Sequence, residues 1–241
     1  MFKHLLALAA AAAVALPAQA ALNTGDIAFT AFNADEDGWS LVTFVDIAAG
    51  TQIFFSDSTA TSATTIGTGE SSFSWNTGAS VISAGTVVRF SAIDATTRAA
   101  SVGSFSVIHG SNLGLSATAE TVYAFLGSSA TSVGTMLTAV SSEANANALT
   151  AVGLTAGTNA VKLTSSADFA GYTGARTGAA SFAAYQPLVN NAANWAINVG
   201  GNGVGVVPDT TVFAPVPEPE SHALMLAGLV GLGFIARRRR G

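Results

Sequence analysis

Cysteine is missing from all 241 residues. That excludes disulfides, thiol nucleophiles and zinc sites built on thiolates, so an exported domain of this kind must rely on its apolar core. Histidine is nearly missing too: there are three, and His4 and His222 fall in apolar terminal segments, which leaves His109 alone in the middle of the chain. His109-Gly110-Ser111 stands at a strand end before Asn112 and Gly114, the composition of a solvated turn, and no G-x-S-x-G turn occurs, so nucleophilic catalysis is poorly served. Positive charge is scarce. Between Ala21 and Val216, twelve acids face only Arg89, Arg98, Lys162 and Arg176, a net charge of minus eight. Such a surface repels phosphate backbones and excludes nucleic acid as a partner. Long amphipathic helical patterns alternating with strands, the mark of a parallel sheet, are also absent.

What is present reads as short strands. Asp26–Phe32 alternates Ile27, Phe29 and Ala31 with other residues, and Trp39–Ile47 sets Trp39, Leu41, Thr43 and Val45 on one face. Thr51–Ser56, Ser71–Trp75, Thr86–Ala92, Ser104–His109, Thr121–Leu126 and Met136–Val140 continue the series, with Gly, Asn, Ser and Thr between them. This spacing predicts an all-β fold, an antiparallel β-sandwich of Ig-like or jelly-roll-like type. One short helix is expected over Gly178–Gln186, capped by Thr177 and ended by Pro187. Ser142–Ala151 suits helix or loop. Residues 21–198 then form the sandwich domain, and 199–216, rich in Gly and then Pro, has linker composition with room for a last strand at Thr211–Phe213.

The hexamer Asn33–Gly38 between the first two strands is a hairpin turn by composition. Its Asn33-x-Asp35-x-Asp37-Gly38 pattern also matches the first half of an oxygen-rich calcium loop, with ligands at alternate positions and a glycine for the turn. The twelfth position, where that loop needs a bidentate Glu, is Phe44. A calcium cage on Asn33, Asp35 and Asp37 therefore needs a carboxylate from elsewhere, such as Asp57 or Asp26; otherwise no cofactor is expected. Asp46 and Asp57 at strand ends, with Glu70 and Glu120 near strand starts, are the acids from which a glycan-hydrolysing pair would be drawn. Trp39, Trp75, Trp195, Tyr123, Tyr172 and Tyr185 are the rings that would stack on sugars if exposed, although Trp39 and Trp75 sit in patterns that favour burial. Gly201, Gly203 and Gly205 precede no helix, so they do not form a phosphate loop.

Both ends of the chain are apolar. Lys3 and His4 precede an apolar run from Leu5 to Leu16, and Ala18-Gln19-Ala20 supplies the small residues a signal peptidase requires, so residues 1–20 are expected to be removed after Ala20. The last 26 residues, Val216–Gly241, contain the triplet Pro217-Glu218-Pro219, an apolar run from Ala223 to Ala236 and the cluster Arg237, Arg238, Arg239, Arg240. At about 1.5 Å per residue that run makes a helix of about 21 Å, short against a hydrocarbon core of about 30 Å. Clustered Arg holds its side of the segment in the cytoplasm, which places everything before Pro217 across the inner membrane.

The ordered triplet, short apolar helix and Arg cluster of residues 217–241 resemble the PEP-CTERM sorting signal of Gram-negative bacteria. The resemblance implies transient anchoring in the inner membrane, recognition and cleavage by an exosortase near Pro217–Pro219, and association with exopolysaccharide in biofilm communities. A second resemblance runs through Gly25–Asp57, Phe73–Trp75, Gly153–Leu163, Tyr172–Gly178 and Asn194-Trp195, which look like a poorly characterised β-rich module of bacterial surface and secreted proteins. It carries no catalytic signature. The expected protein is a non-catalytic surface or extracellular-matrix component; the alternative is a secreted hydrolase or glycan-binding module on the same scaffold.

Overall fold

The computed structural model describes residues 21–110, 112–216 and 224–229. The strands in chain order are β1 (Ile27–Asn33), β2 (Gly38–Thr43), β3 (Gln52–Ser56), β4 (Ala60–Ser62), β5 (Thr65–Ile66), β6 (Ser72–Asn76), β7 (Val87–Ser91), β8 (Ala99–Ala100), β9 (Ser104–His109), β10 (Thr121–Ser129), β11 (Ser132–Ser141), β12 (Val161–Lys162), β13 (Phe169–Tyr172) and β14 (Trp195–Asn198). They form two sheets, ordered β14-β13-β1-β2-β7-β8 and β4-β5-β11-β10-β3-β6-β9. The pairings are antiparallel except for β12, which runs parallel beside the end of β11. The fold is the expected all-β sandwich.

Period-two alternation decides which face each side chain takes. On β3, Ile53 and Phe55 enter the main core while Phe54 turns to a second apolar cluster, and on β10 Val122 and Ala124 oppose Tyr123 and Phe125 in the same way. Trp39 lies in the main core, with Phe55, Phe90, Phe73, Phe105 and Phe29 rings between 5.2 and 6.5 Å away. Several of these contacts are edge-on or tilted, the arrangements an aromatic quadrupole favours. The second cluster sits outside β3 and β10 and is covered by the turn α1 (Asn147–Thr150), whose Ala148 carbonyl accepts the Tyr123 hydroxyl at 3.1 Å.

β1 is buried along its whole length. One covering element is a 3-10 turn, Ala183–Tyr185, that runs into α2 (Gln186–Val189). The helix expected over Gly178–Gln186 is thus shifted later, and Pro187 opens α2 instead of ending a helix. A proline in the first turn loses no hydrogen bond, because those N–H groups have no intrahelical acceptor anyway.

The other covering element is the stretch 199–216, which does not hang free as a linker but lies on the domain as a strap. Phe213 is 2% exposed, with its ring 5.8 Å from that of Tyr172 and 5.1 Å from that of Tyr185. Arg176, itself buried, donates to the Thr211 carbonyl at 2.9 Å and the Asp209 carbonyl at 3.1 Å, pairs with the Asp209 carboxylate at 3.1 Å, and sets its guanidinium 4.9 Å from the Phe213 ring centre. The Tyr185 hydroxyl donates to the Ala214 carbonyl at 2.8 Å, and the Val216 N–H donates to the Ala179 carbonyl at 2.9 Å. Glycine serves close approach here: a Cβ on Gly85 would stand 2.3 Å from the Phe213 carbonyl, and one on Gly203 would stand 2.7 Å from the Phe169 ring. An apolar cavity of about 210 Å³ remains between the strap and the β1–β13 face.

Candidate functional site at one end of the second sheet

Antiparallel order brings together side chains far apart in sequence. Along β11-β10-β3-β6-β9 successive strands reverse direction, so the end of β11, the start of β10, the end of β3, the start of β6 and the end of β9 share one edge of the sandwich. Glu143, Glu120, Asp57, Glu70 and His109 lie at or just beyond those ends. Asp57, Glu70 and Glu120 line two adjoining cavities of about 110 and 100 Å³, and Glu70 continues into an open groove of about 500 Å³ beside His109 and Asn112. Of the four acids singled out from sequence, three therefore meet. Asp46 does not join them; its carboxylate accepts the Ala84 N–H at 2.8 Å elsewhere.

Asp57 and Glu120 are buried, 7% and 6% exposed. Each is held by both oxygens. Asp57 accepts the Ser71 N–H and the Ser71 hydroxyl, both at 2.6 Å. Glu120 accepts the Ser116 N–H and its neighbour's N–H at Thr121, both at 2.9 Å. Burial, reinforced by the charge of Asp57 and then of Glu70, pushes the Glu120 carboxyl up to about 8, against the opposing pull of its N–H donors. Burial likewise pushes Asp57 up to about 6, although the Ser71 hydrogen bonds pull it down. Desolvation disfavours a second charge in the same cleft, so both carboxyls keep their protons to higher pH than exposed acids do. Chemically the arrangement can store and release a proton.

The remaining sequence candidates are placed as follows. Asn33 Oδ1 accepts the Asp35 and Glu36 N–H groups at 3.0 Å, and its amide donates to the Gly203 carbonyl at 2.8 Å. Asp35 accepts the Gly203 N–H, and Asp37, at φ +54°, accepts the Leu115 N–H at 2.5 Å. The hexamer thus ties the strap and the 112–116 loop to the first hairpin, with its oxygens directed to different backbone partners. Among the described residues no group of three or more His, Cys, Asp or Glu is placed to hold a metal ion. Trp39, Trp75, Trp195, Tyr123, Tyr172 and Tyr185 are all buried, so none of them offers a sugar-stacking face. His109 is exposed and stands 3.0 Å from the Thr68 carbonyl.

Sequence reasoning missed the strap and its clamp, Arg176. The signal available was Phe213, the one aromatic residue in a Val-, Gly- and Pro-rich stretch. Ala18 and Ala20, the triplet Pro217, Glu218 and Pro219, and Arg237, Arg238, Arg239 and Arg240 lie outside the described residues. Residues 224–229 are helical, and among the described residues no helix is long and apolar enough to cross a membrane. No curated protein and no solved structure matches the chain. Residues 215–240 match the family model of the PEP-CTERM protein-sorting motif. The chain therefore carries a PEP-CTERM sorting motif at its C-terminal end, consistent with an exosortase substrate exported for surface or membrane-associated sorting.

Proposed function

We propose that this chain is a non-catalytic passenger delivered by its sorting tail to the cell surface or extracellular matrix, in association with exopolysaccharide. The signal peptide is removed by signal peptidase at Ala18–Ala20. The tail then parks in the inner membrane with Arg237–Arg240 inside, until an exosortase cleaves near Pro217–Pro219. The sorting motif at residues 215–240 carries this reading. Support for a non-catalytic domain comes from the side chains suited to chemistry, which are committed to architecture: both oxygens of Asp57 and of Glu120 accept protein hydrogen bonds. The test is the intact mass of the protein recovered from envelope and medium. The expected species begins at Ala21, ends near Pro217–Pro219 and carries any added sugar as extra mass. Recovery of a species still ending in Arg237–Arg240, dissolved in the cell interior, would overturn the reading.

A second reading, a secreted hydrolase, is favoured by one observation: two buried carboxyls with raised pKa values share a cleft, as a general acid and its partner do. Its cavities of about 110 and 100 Å³ are small beside the 300 Å³ or so at which ligand pockets begin.

A further inference from the structure

The strap contains six of the domain's exposed large apolar side chains. Val199, Val204, Val206, Val207, Val212 and Val216 are between 45% and 65% exposed. One charged residue, Asp209, occurs in residues 199–216, and it is paired with Arg176. The rest of the domain carries the acidic excess, so the strap is the stretch that an anionic lipid surface repels least. Exposed apolar side chains grouped on one surface element mark a contact site.

Chain length then says which contact. The Val216 N–H is fixed to the Ala179 carbonyl, and residue 224 is already helical, eight residues on. Fully extended chain covers at most about 3.3–3.6 Å per residue, so this tether spans no more than about 26–29 Å. A domain of this size is about 40 Å across, from a radius of gyration of about 16 Å. The tether is shorter than the domain is wide. While the tail is in the bilayer, the face opposite the strap's exit cannot be turned to the lipid, and the exit stays within about 26–29 Å of it.

We propose that the strap 199–216 is a lipid-facing surface, resting its valines on the membrane until the tail is cut. The inference rests on the membrane-parked tail of the preceding reading. It differs from a free linker in that the strap is held against the lipid, whereas Thr61 is an exposed residue on the edge strand β4 of the other sheet.

The absence of cysteine makes the test clean. Single substitutions Val207→Cys, Val212→Cys and, as the control on the other sheet, Thr61→Cys are labelled with a small fluorophore in the tail-bearing chain. The chain is reconstituted into vesicles of phosphatidylethanolamine and phosphatidylglycerol containing lipids spin-labelled at the headgroup. Co-flotation is expected, with strong loss of emission at positions 207 and 212 and none at 61. Failure to float would sink the membrane-parked tail and this proposal together. Flotation with equal emission at all three positions would overturn the proposal alone. So would unquenched probes combined with ready disulfide linkage of two unlabelled chains through position 207 or 212, which would assign the face to a second copy.

Discussion

Raising the pH from about 5 to about 8 should soften this fold, and Glu120→Gln should remove most of that softening. The unfolded chain releases the Glu120 proton near 4.5, whereas the folded chain holds it up to about 8. In the window between, the native state binds more protons than the unfolded state. Stability is therefore complete below the lower value and falls as pH rises through the higher one. Each pH unit across that window is worth about 1.36 kcal/mol per proton. Integrated from about pH 5 to about pH 8, the loss is about 3 kcal/mol, or about 6–12 °C in Tm for a domain of this size. Asp57, pushed from 3.8 to about 6, acts in the same direction and completes most of its effect earlier. Glutamine keeps the shape but cannot accept N–H bonds with both ends, so the variant should start about 1 kcal/mol below wild type near pH 5 and overtake it as the wild type softens toward pH 8. The assay is thermal unfolding of wild type and variant across this range in constant ionic strength. Parallel curves for the two proteins would refute the reasoning, because they would show that Glu120 binds the same number of protons folded and unfolded.

Two further perturbations separate the strap from the core. Phe213→Ala should cost about 3–5 kcal/mol, the usual range for a buried aromatic, and should open residues 199–216 to limited proteolysis while the rest of the sandwich resists. An unchanged cleavage pattern would show that the ring does not hold the strap. Trp75→Phe should destabilise more than Trp39→Phe, by about 1–2 kcal/mol in denaturant unfolding, since the Trp75 indole N–H donates to the Val102 carbonyl at 2.8 Å whereas the buried Trp39 indole N–H has no partner among the described residues. Equal losses would mean that ring packing alone sets the cost.

The main strands were legible because alternation and turn composition are local. Asp26–Phe32, Ser71–Trp75 and Ser104–His109 lie within a residue or so of β1, β6 and β9. The short edge elements β4, β5, β8 and β12 carry two or three residues each, too few for a period to show. Trp195–Asn198 is not among the strands expected from the sequence, yet it pairs with β13 because a tertiary partner supplies what its own pattern does not announce. The Asn33–Asp37 oxygens illustrate the same limit from the side of function. Their alternation fits a metal loop, but long-range backbone donors at Gly203 and Leu115 engage two of them.

By itself the sequence determined the destination and the architecture. A sorting motif is read as an ordered run of residues, and a strand as a period of two, so both survive without knowledge of the fold. Only the tertiary structure decided what the acids and the Gly/Pro stretch do. Asp57, Glu70 and Glu120 meet because five antiparallel strands end on one edge, and the raised pKa of Glu120 follows from burial that no spacing in the chain reveals. Residues 199–216 became a strap through a cation and two tyrosines reaching from elsewhere in the chain, and desolvation and distant hydrogen bonds of that kind exist only once the chain has folded.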